Sequence, residues 1–301
     1  MTDNRKSRLD GLAVSLILIC CVIWGLNQVI VKMTLPVVPP LMQGALRSAL
    51  AAVLVGLWAR HRGIGLLQPD GVNRAGVIAG ALFALEFCCV YWGLQYTSAS
   101  RAIVFLYLAP FIVALGMPFI SASERLRPTQ IAGLCLAFGA LALAFRDGLD
   151  PRGGANAWVG DLLALGAGMA WGLTTVVIRG SGLSRMSPEK LLFYQMAVSV
   201  VCLPVLSLWL GEPWVWHWSA FGWFSMVLQT LVGAFASYLT WLWQLSHYPA
   251  MRISVFVFLT PVFALVFGAI WLREVISLHL VLAVALVAVG ILLVNRRPAG
   301  A

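Results

Sequence analysis

An all-α integral membrane fold of ten transmembrane helices, built as an inverted-topology repeat of two five-helix halves around a central cavity, is what this sequence predicts. Three observations carry that expectation. The composition needs lipid as its solvent, ten apolar stretches have spanning length, and a set of residues in the first half recurs 147 to 151 positions later.

Of 301 residues, 61% are hydrophobic and only 10% charged, with a mean hydropathy of +0.92. Soluble chains carry about 25% charged residues, and no soluble fold of this size hides so much apolar surface. A net charge of +9 would point to nucleic acid in a polar protein. Here the basic residues punctuate the apolar runs, so no nucleic-acid partner is expected and the charge reads as an orientation signal. The six cysteines include the adjacent pairs Cys20-Cys21 and Cys88-Cys89 but no CxxC or Cys/His cluster. They read as packing residues, with no metal and no cofactor implied.

A helix that crosses about 30 Å of hydrocarbon needs about 20 apolar residues. The first such stretch, 11–32, follows the polar, basic Met1–Asp10; with no obvious small-residue cleavage site, it reads as a retained helix. Pro36 and Pro39-Pro40 separate it from 41–60, and Pro69-Asp70-Gly71 precedes 75–96. A tight break at Thr97-Ser98 opens 99–121, and Arg127-Pro128 opens 128–145. Pro151-Arg152-Gly153-Gly154 separates the halves before 158–180 and 190–210. Trp214, Trp216 and Trp218, an expected interfacial belt, precede 220–246. Tyr248-Pro249 is the break before 249–272, and 276–295 ends the series. These stretches are too long, and too apolar on every face, for barrel strands.

Lys32, Arg101, Arg146, Arg152 and Arg273 fall on one side of this topology and Arg47 within a span. The rest of the 20 basic residues fall on the side of the N-terminus. That bias predicts both termini in the cytoplasm.

The repeat is legible residue by residue. Trp24-Gly25-Leu26-Asn27 matches Trp171-Gly172-Leu173-Thr174, and Lys32 falls on Arg179, at an offset of 147. Trp92, Leu94, Ala99, Arg101, Phe105 and Pro110 match Trp243, Leu245, Ala250, Arg252, Phe256 and Pro261 at 151, and a one-residue shift pairs Glu124 with Glu274. Because five is odd, the second copy enters the membrane from the opposite face. Such a pseudo-two-fold offers two equivalent gates around a midplane site, the architecture of secondary transporters.

These residues resemble the drug/metabolite transporter superfamily, specifically its EamA-type permeases. The likeness lies in Trp24-Gly25-x-Asn27…Lys32 and in Ser98-Ala99-x-Arg101…Leu108-Ala109-Pro110…Glu124…Gly133, with the copy Pro249-Ala250-x-Arg252…Leu259-Thr260-Pro261…Glu274. It covers nearly the whole chain. It implies two EamA repeats, 1–146 and 147–301, in a bacterial inner membrane, and alternating-access export of small organic metabolites. Within the family the aromatic-rich interior is most similar to bacterial exporters of aromatic amino acids (the YddG group). The implied partners are a small-molecule substrate and the bilayer, and whether the chain acts as a monomer or an oligomer stays open.

Glu86 lies near the centre of the third span, where an acid must face protein or a wet cavity. Two readings stand side by side: a contact to a substrate amine or protonation switch, and a structural pair with Arg47. Its repeat counterpart is Ser237. Trp24, Asn27, Gln28 and Val31 share one helical face, as do Trp171, Thr174, Thr175 and Ile178. Their polar members need a neighbouring helix or a ligand as partner. Tyr107 and Phe258 are repeat equivalents placed three residues before Pro110 and Pro261, whose kinks make those spans candidate gates. Tyr91, Tyr238 and Trp241 complete the candidate wall of a substrate site. Gly76-xxx-Gly80 and Gly168-xxx-Gly172 predict close helix packing. No P-loop, HExxH or GxSxG occurs, so neither ATP hydrolysis nor those enzyme chemistries is indicated. The alternatives to amino-acid export are export of other metabolites, amines or drugs, and, more remotely, a membrane enzyme or scaffold.

Overall fold

A computed structural model describes residues 10–68, 71, 73–120, 128–148, 156–248 and 256–294, and among these every regular element is helical. The first span is α1 (Gly11–Thr34), started by Asp10, whose carboxylate accepts from the Ala13 N–H at 2.9 Å. Proline at N1 opens α2 (Pro40–His61), and α3 is Asn73–Gly93. Ser98 caps α4 (Ala99–Leu106) by accepting from Arg101 N–H at 3.1 Å, and α5 (Ala109–Ile120) completes that span. α6 (Pro128–Gly148) and α7 (Ala157–Gly180) flank the midpoint of the chain. A 3-10 turn at Leu183–Arg185 leads to α8 (Pro188–Trp209). The next span joins α9 (Ala220–Leu228), a π-helical stretch at Gln229–Ala236, and α10 (Ser237–His247). The series ends with α11 (Leu259–Trp271) and α12 (Leu278–Val294).

Eight helical runs are long and apolar enough to cross a membrane, and the two shorter apolar helices are α11 and α12. The spans expected from sequence coincide with these within a few residues. The start of the ninth span, with Pro249 and Arg252, lies outside the described residues, as do Glu124 and the Pro151–Gly154 separator.

Pro110 and Pro261 act differently from the expected mid-helix kink. The fourth span breaks outright at Tyr107-Leu108, and the ninth turns at Phe258. Both prolines then sit in the first turn of the following helix. A proline cannot donate to residue i−4 and its ring clashes with that carbonyl. For Pro110 that residue is Leu106, the last of α4, so the helix ends there and restarts where a missing N–H costs nothing.

Glycines set the distances between spans. A Cβ on Gly172 would lie 2.5 Å from Ile112 Cβ and 2.8 Å from the Ala109 carbonyl, at the restart of the fourth span. A Cβ on Gly25 would lie 2.8 Å from Phe263 Cβ and 3.0 Å from the Thr260 carbonyl, at the restart of the ninth. Thus α7 rests on α4 and α5 as α1 rests on α11. Gly133 and Gly290 bring α6 and α12 together in the same way, and Gly76 and Gly80 seat α3 on Tyr194 and Val198 of α8.

At the end of the bundle where α1 finishes and α4 begins, polar side chains tie the helix termini together. Glu274 accepts from the free N–H groups of Ala99 (2.7 Å) and Ser100 (3.0 Å). Arg273, at φ 55°, takes the left-handed turn that delivers it there. Glu212 likewise accepts from Leu41 and Met42 N–H at the start of α2, at 3.0 and 2.7 Å. Lys32 donates to the carbonyls of Leu94 (2.8 Å) and Thr97. Asp161 of α7, fully buried, forms an ion pair with Arg101 and accepts from the Thr97 hydroxyl at 2.6 Å.

Two stability predictions follow from this packing. Gly172→Val should overpack the α5–α7 junction by about 1–3 kcal/mol and lower the thermal unfolding midpoint in detergent. Gly166→Ala, on the same helix with only Cys89 Sγ within reach at 3.7 Å, should leave it unchanged. Asp161→Ala should cost about 3–5 kcal/mol by stranding the buried Arg101 guanidinium, and the Arg101→Ala/Asp161→Ala double variant should recover part of that loss in the same assay.

Candidate functional site

Aromatic side chains from three spans meet around one charged pair. On α3 the spacing of Phe83, Phe87 and Tyr91 stacks three rings on one face, with Glu86 one turn from Phe83. Phe83 and Phe87 are 4.7 Å apart, Phe87 and Tyr91 6.1 Å, and Phe83 lies 6.2 Å from Tyr238 of α10. Trp24 of α1 packs at 6.1 Å on Tyr238 and edge-on at 5.7 Å on Trp241.

The π stretch positions the α10 members. There the Ser237 N–H reaches back five residues to Val232. The Gly233 carbonyl takes the Ser237 hydroxyl at 2.7 Å, and that hydroxyl accepts from Trp24 Nε1 at 2.9 Å. Gly233 also admits Asn27, whose Oδ1 is 2.8 Å from where a Cβ would sit. Single π turns inside α-helices recur at functional sites; this one places a wall of the aromatic cluster.

Arg47 enters the cluster from α2. It is 1% exposed, and its guanidinium lies 4.0 Å over the Phe87 ring and 5.8 Å from Tyr91. Its Nε and Nη2 have no hydrogen-bond partner, and neither has Oε2 of Glu86, which is 6% exposed. Both side chains lie near Tyr238, whose hydroxyl meets Arg47. They do not, however, form the direct ion pair that the sequence admitted, because Arg101–Asp161 is the ion pair of this kind among the described residues. Cation–π contact with Phe87 meets part of the guanidinium's need, but its N–H fork and the carboxylate remain open to a partner.

Beside Arg47, toward the α1 C-terminus, a polar chain closes the cluster. Tyr91 donates to Gln229 Oε1 at 3.0 Å, and Gln229 Nε2 donates to Gln43 Oε1 (3.1 Å) and Ser225 Oγ (2.8 Å). Ser225 in turn meets the Thr34 hydroxyl. This chain joins α1, α2, α3 and the eighth span, each polar group matched inside an apolar bundle.

A second aromatic group lies at the breaks. Tyr107 packs edge-on at 5.5 Å against Trp171 and at 6.4 Å against Phe258. Tyr107 and Phe258 line a small cavity of about 10 Å³ with Val104, Pro261, Val284 and Val287, room for about one water.

Of the residues expected from sequence, Trp24, Glu86, Tyr91, Tyr238 and Trp241 therefore meet in one cluster, with Asn27 at its edge. Tyr107, Trp171 and Phe258 meet in the other. Thr174 and Thr175 depart from expectation: their hydroxyls donate to the carbonyls four residues back, Ala170 at 2.8 Å and Trp171 at 3.2 Å, so their own helix satisfies them. Phe83, Phe87, Gln43 and Gln229 are not among the residues expected from sequence, and Ser237, expected only as the counterpart of Glu86, is the partner of Trp24. The four-residue spacing of the rings and the rarity of Gln inside apolar spans are the signals that carry them. Trp214, Trp216 and Trp218 do form one run of rings, 6.0 Å between neighbours, continued by Trp223 at 4.5 Å.

Comparison with known proteins converges on this architecture. The profile of the EamA-like transporter family matches twice, over residues 11–146 and 158–296. A probable amino-acid metabolite efflux pump of Escherichia coli is 30% identical over 277 residues, spanning 89% of this chain and 88% of that protein. The transporter YoaV of Bacillus subtilis is 24% identical over 273 residues, 89% and 91% of the two chains. A solved crystal structure with 19% identity superposes with a TM-score of 0.67, covering 95% of this chain and 96% of its own. These relatives carry the names of transporters and efflux pumps, not enzymes. Two matches over nearly the full length, on a bundle of membrane-length helices, establish the family: this chain is a multi-pass membrane protein that belongs to the EamA-like transporter family.

Proposed function

We propose that the chain exports small organic metabolites, amino acids with aromatic or other apolar side chains, across the bacterial inner membrane by alternating access. The observation that carries the mechanism is the matched pair of junctions at Gly25 and Gly172. Each glycine follows the tryptophan that opens its repeat and receives the restart of a broken span, at Thr260 and Phe263 in one case and Ala109 and Ile112 in the other. Those contact residues are themselves related by the offset of 151.

The same relation extends to the helix termini. Asp161 accepts from Thr97, and Asp10 accepts from Tyr248 at 3.0 Å, both members of each pair again 151 positions apart. This correspondence supports two halves, 1–146 and 147–301, in inverted topology about an axis in the membrane plane, and the bias of Lys and Arg toward the side of the N-terminus supports both termini in the cytoplasm. An inverted pair with two equivalent fastenings at opposite ends is suited to opening one end while the other stays closed.

The substrate class rests on the aromatic cluster and on the names of two relatives: those of Escherichia coli and of Salmonella typhimurium (28% identical) are each called a probable amino-acid metabolite efflux pump. Rings from Trp24, Phe83, Phe87, Tyr91, Tyr238 and Trp241 offer stacking and cation–π contact to an apolar or aromatic amino acid. Tyr107, Trp171 and Phe258 form the opposing wall, reached when the breaks preceding Pro110 and Pro261 hinge. The likeness to aromatic amino acid exporters belongs to this reading.

The test is uptake of a labelled amino-acid panel into liposomes containing the purified protein. Saturable uptake of phenylalanine or tryptophan is expected, falling at least tenfold (about 1.4 kcal/mol) in Trp24→Ala or Trp171→Ala proteins that keep the wild-type unfolding midpoint. Uptake unchanged in both variants would overturn the central placement of the two tryptophans. No flux of any amino acid, in vesicles holding folded protein, would overturn the substrate class.

A further inference from the structure

Resting on the amino-acid reading above, we infer that Arg47 and Glu86 form a divided zwitterion site, Arg47 holding the substrate α-carboxylate and Glu86 its α-ammonium. Both side chains are buried, ionisable, and drawn from adjacent helices, α2 and α3, each seven residues from the end of its helix at the same end of the bundle. Depth in the bilayer is therefore shared.

What distinguishes them from a structural pair is the unused hydrogen-bonding capacity. A buried ion pair holds together when the two charges touch and the remaining donors and acceptors are matched. The Arg101–Asp161 pair of this same protein does so: Arg101 also donates to the Ala144 carbonyl at 3.0 Å, and Asp161 also takes the Thr97 hydroxyl. Arg47 and Glu86 form no direct ion pair, and Nε and Nη2 of the one and Oε2 of the other have no partner. Nε and Nη2 of Arg47 are the two donors of a guanidinium fork, which fits the two oxygens of a carboxylate. Oε2 of Glu86 is an acceptor matched to an ammonium. Of the polar groups around them, Tyr91 donates to Gln229, Gln229 and Gln43 bond to each other, and the Tyr238 hydroxyl meets Arg47.

The environment fits the rest of such a substrate. Phe83, Phe87 and Tyr91 on α3, and Tyr238 and Trp24 across from them, surround the charges with rings. An amino acid with an apolar side chain supplies both missing partners and an apolar body from a single molecule. A simple amine or a simple carboxylic acid supplies one and leaves the opposite charge buried and bare. The site therefore selects the zwitterion over either half of it.

The repeat adds a geometric consequence. Glu86 is matched by Ser237 at an offset of 151, and the second half commits that serine to Trp24. The charged site is thus a property of the first half alone, so a single substrate molecule binds per chain.

Three probes share one side chain: L-phenylalanine, 2-phenylethylamine without the carboxylate, and 3-phenylpropanoate without the ammonium. Their binding to the purified full-length protein is followed by its tryptophan fluorescence and checked by thermal shift. In the wild type, phenylalanine should bind at least about tenfold more tightly than either analogue. Arg47→Gln should abolish the preference for phenylalanine over phenylethylamine while sparing that over phenylpropanoate, and Glu86→Gln should do the reverse. Arg47→Lys should restore part of the carboxylate preference. If phenylalanine binds but each variant weakens all three probes alike, or none, the divided site is overturned and the charges are structural. If the wild type binds no amino acid, the amino-acid reading itself fails, and this inference fails with it.

Discussion

The approach of a broken helix to a glycine is the constraint on which the rest of this bundle depends. A backbone carbonyl in an apolar medium must find a donor or be packed where little is lost, and the fourth and ninth spans each interrupt their own ladder. The carbonyls of Phe105 and Leu106 at the first break lie against Gly168, and that of Ala109 against Gly172. The Thr260 carbonyl lies against Gly25. Only a residue without a Cβ permits this proximity. Once it is fixed, Tyr107 meets Trp171 and Phe258.

A second consequence concerns where polarity is allowed. The buried polar groups fall into two kinds. Those at the helix termini are matched across helices: Glu274 on α4, Glu212 on α2, Lys32 on the Leu94 and Thr97 carbonyls, and Arg101 on Asp161. Those in the body of the bundle include Arg47 and Glu86, with open donors and an open acceptor. Matched termini hold a fold in place, whereas Nε and Nη2 of Arg47 and Oε2 of Glu86 lie without a partner inside the bundle. Arg101 and Asp161 lie in apolar helices as Arg47 and Glu86 do, and only packing separates the matched charges from the unmatched ones.

Much of the fold was legible because hydropathy and turn chemistry are local. Ten apolar stretches, the Trp-Gly pair in each half and the Arg/Pro spacing after it mark the spans and their correspondence. The consequence of the prolines was less legible. Loss of a hydrogen bond at Pro110 permits either a bend or a stop, and the carbonyl of Leu106 had to be packed on Gly168 for the stop to win. The π stretch at Gln229–Ala236 left no sequence signal of its own, since a shift of hydrogen-bond register does not alter composition. Thr174 illustrates the opposite error: a hydroxyl that seemed to need a neighbour is satisfied by its own helix. That Glu86 and Arg47 form no direct ion pair likewise depends on distance, which spacing along two separate helices does not report.

The central claim is that the two ends of the bundle open in turn about these junctions. Spin labels on exposed positions of a cysteine-free protein, Tyr96 with Val275 at one end and Arg62 with Ser184 at the other, measure both openings in the same liposome sample. The account predicts that adding L-phenylalanine changes the two distance distributions in opposite senses, one end widening as the other narrows. Distances that change together, or at neither end while phenylalanine is being carried, would contradict it.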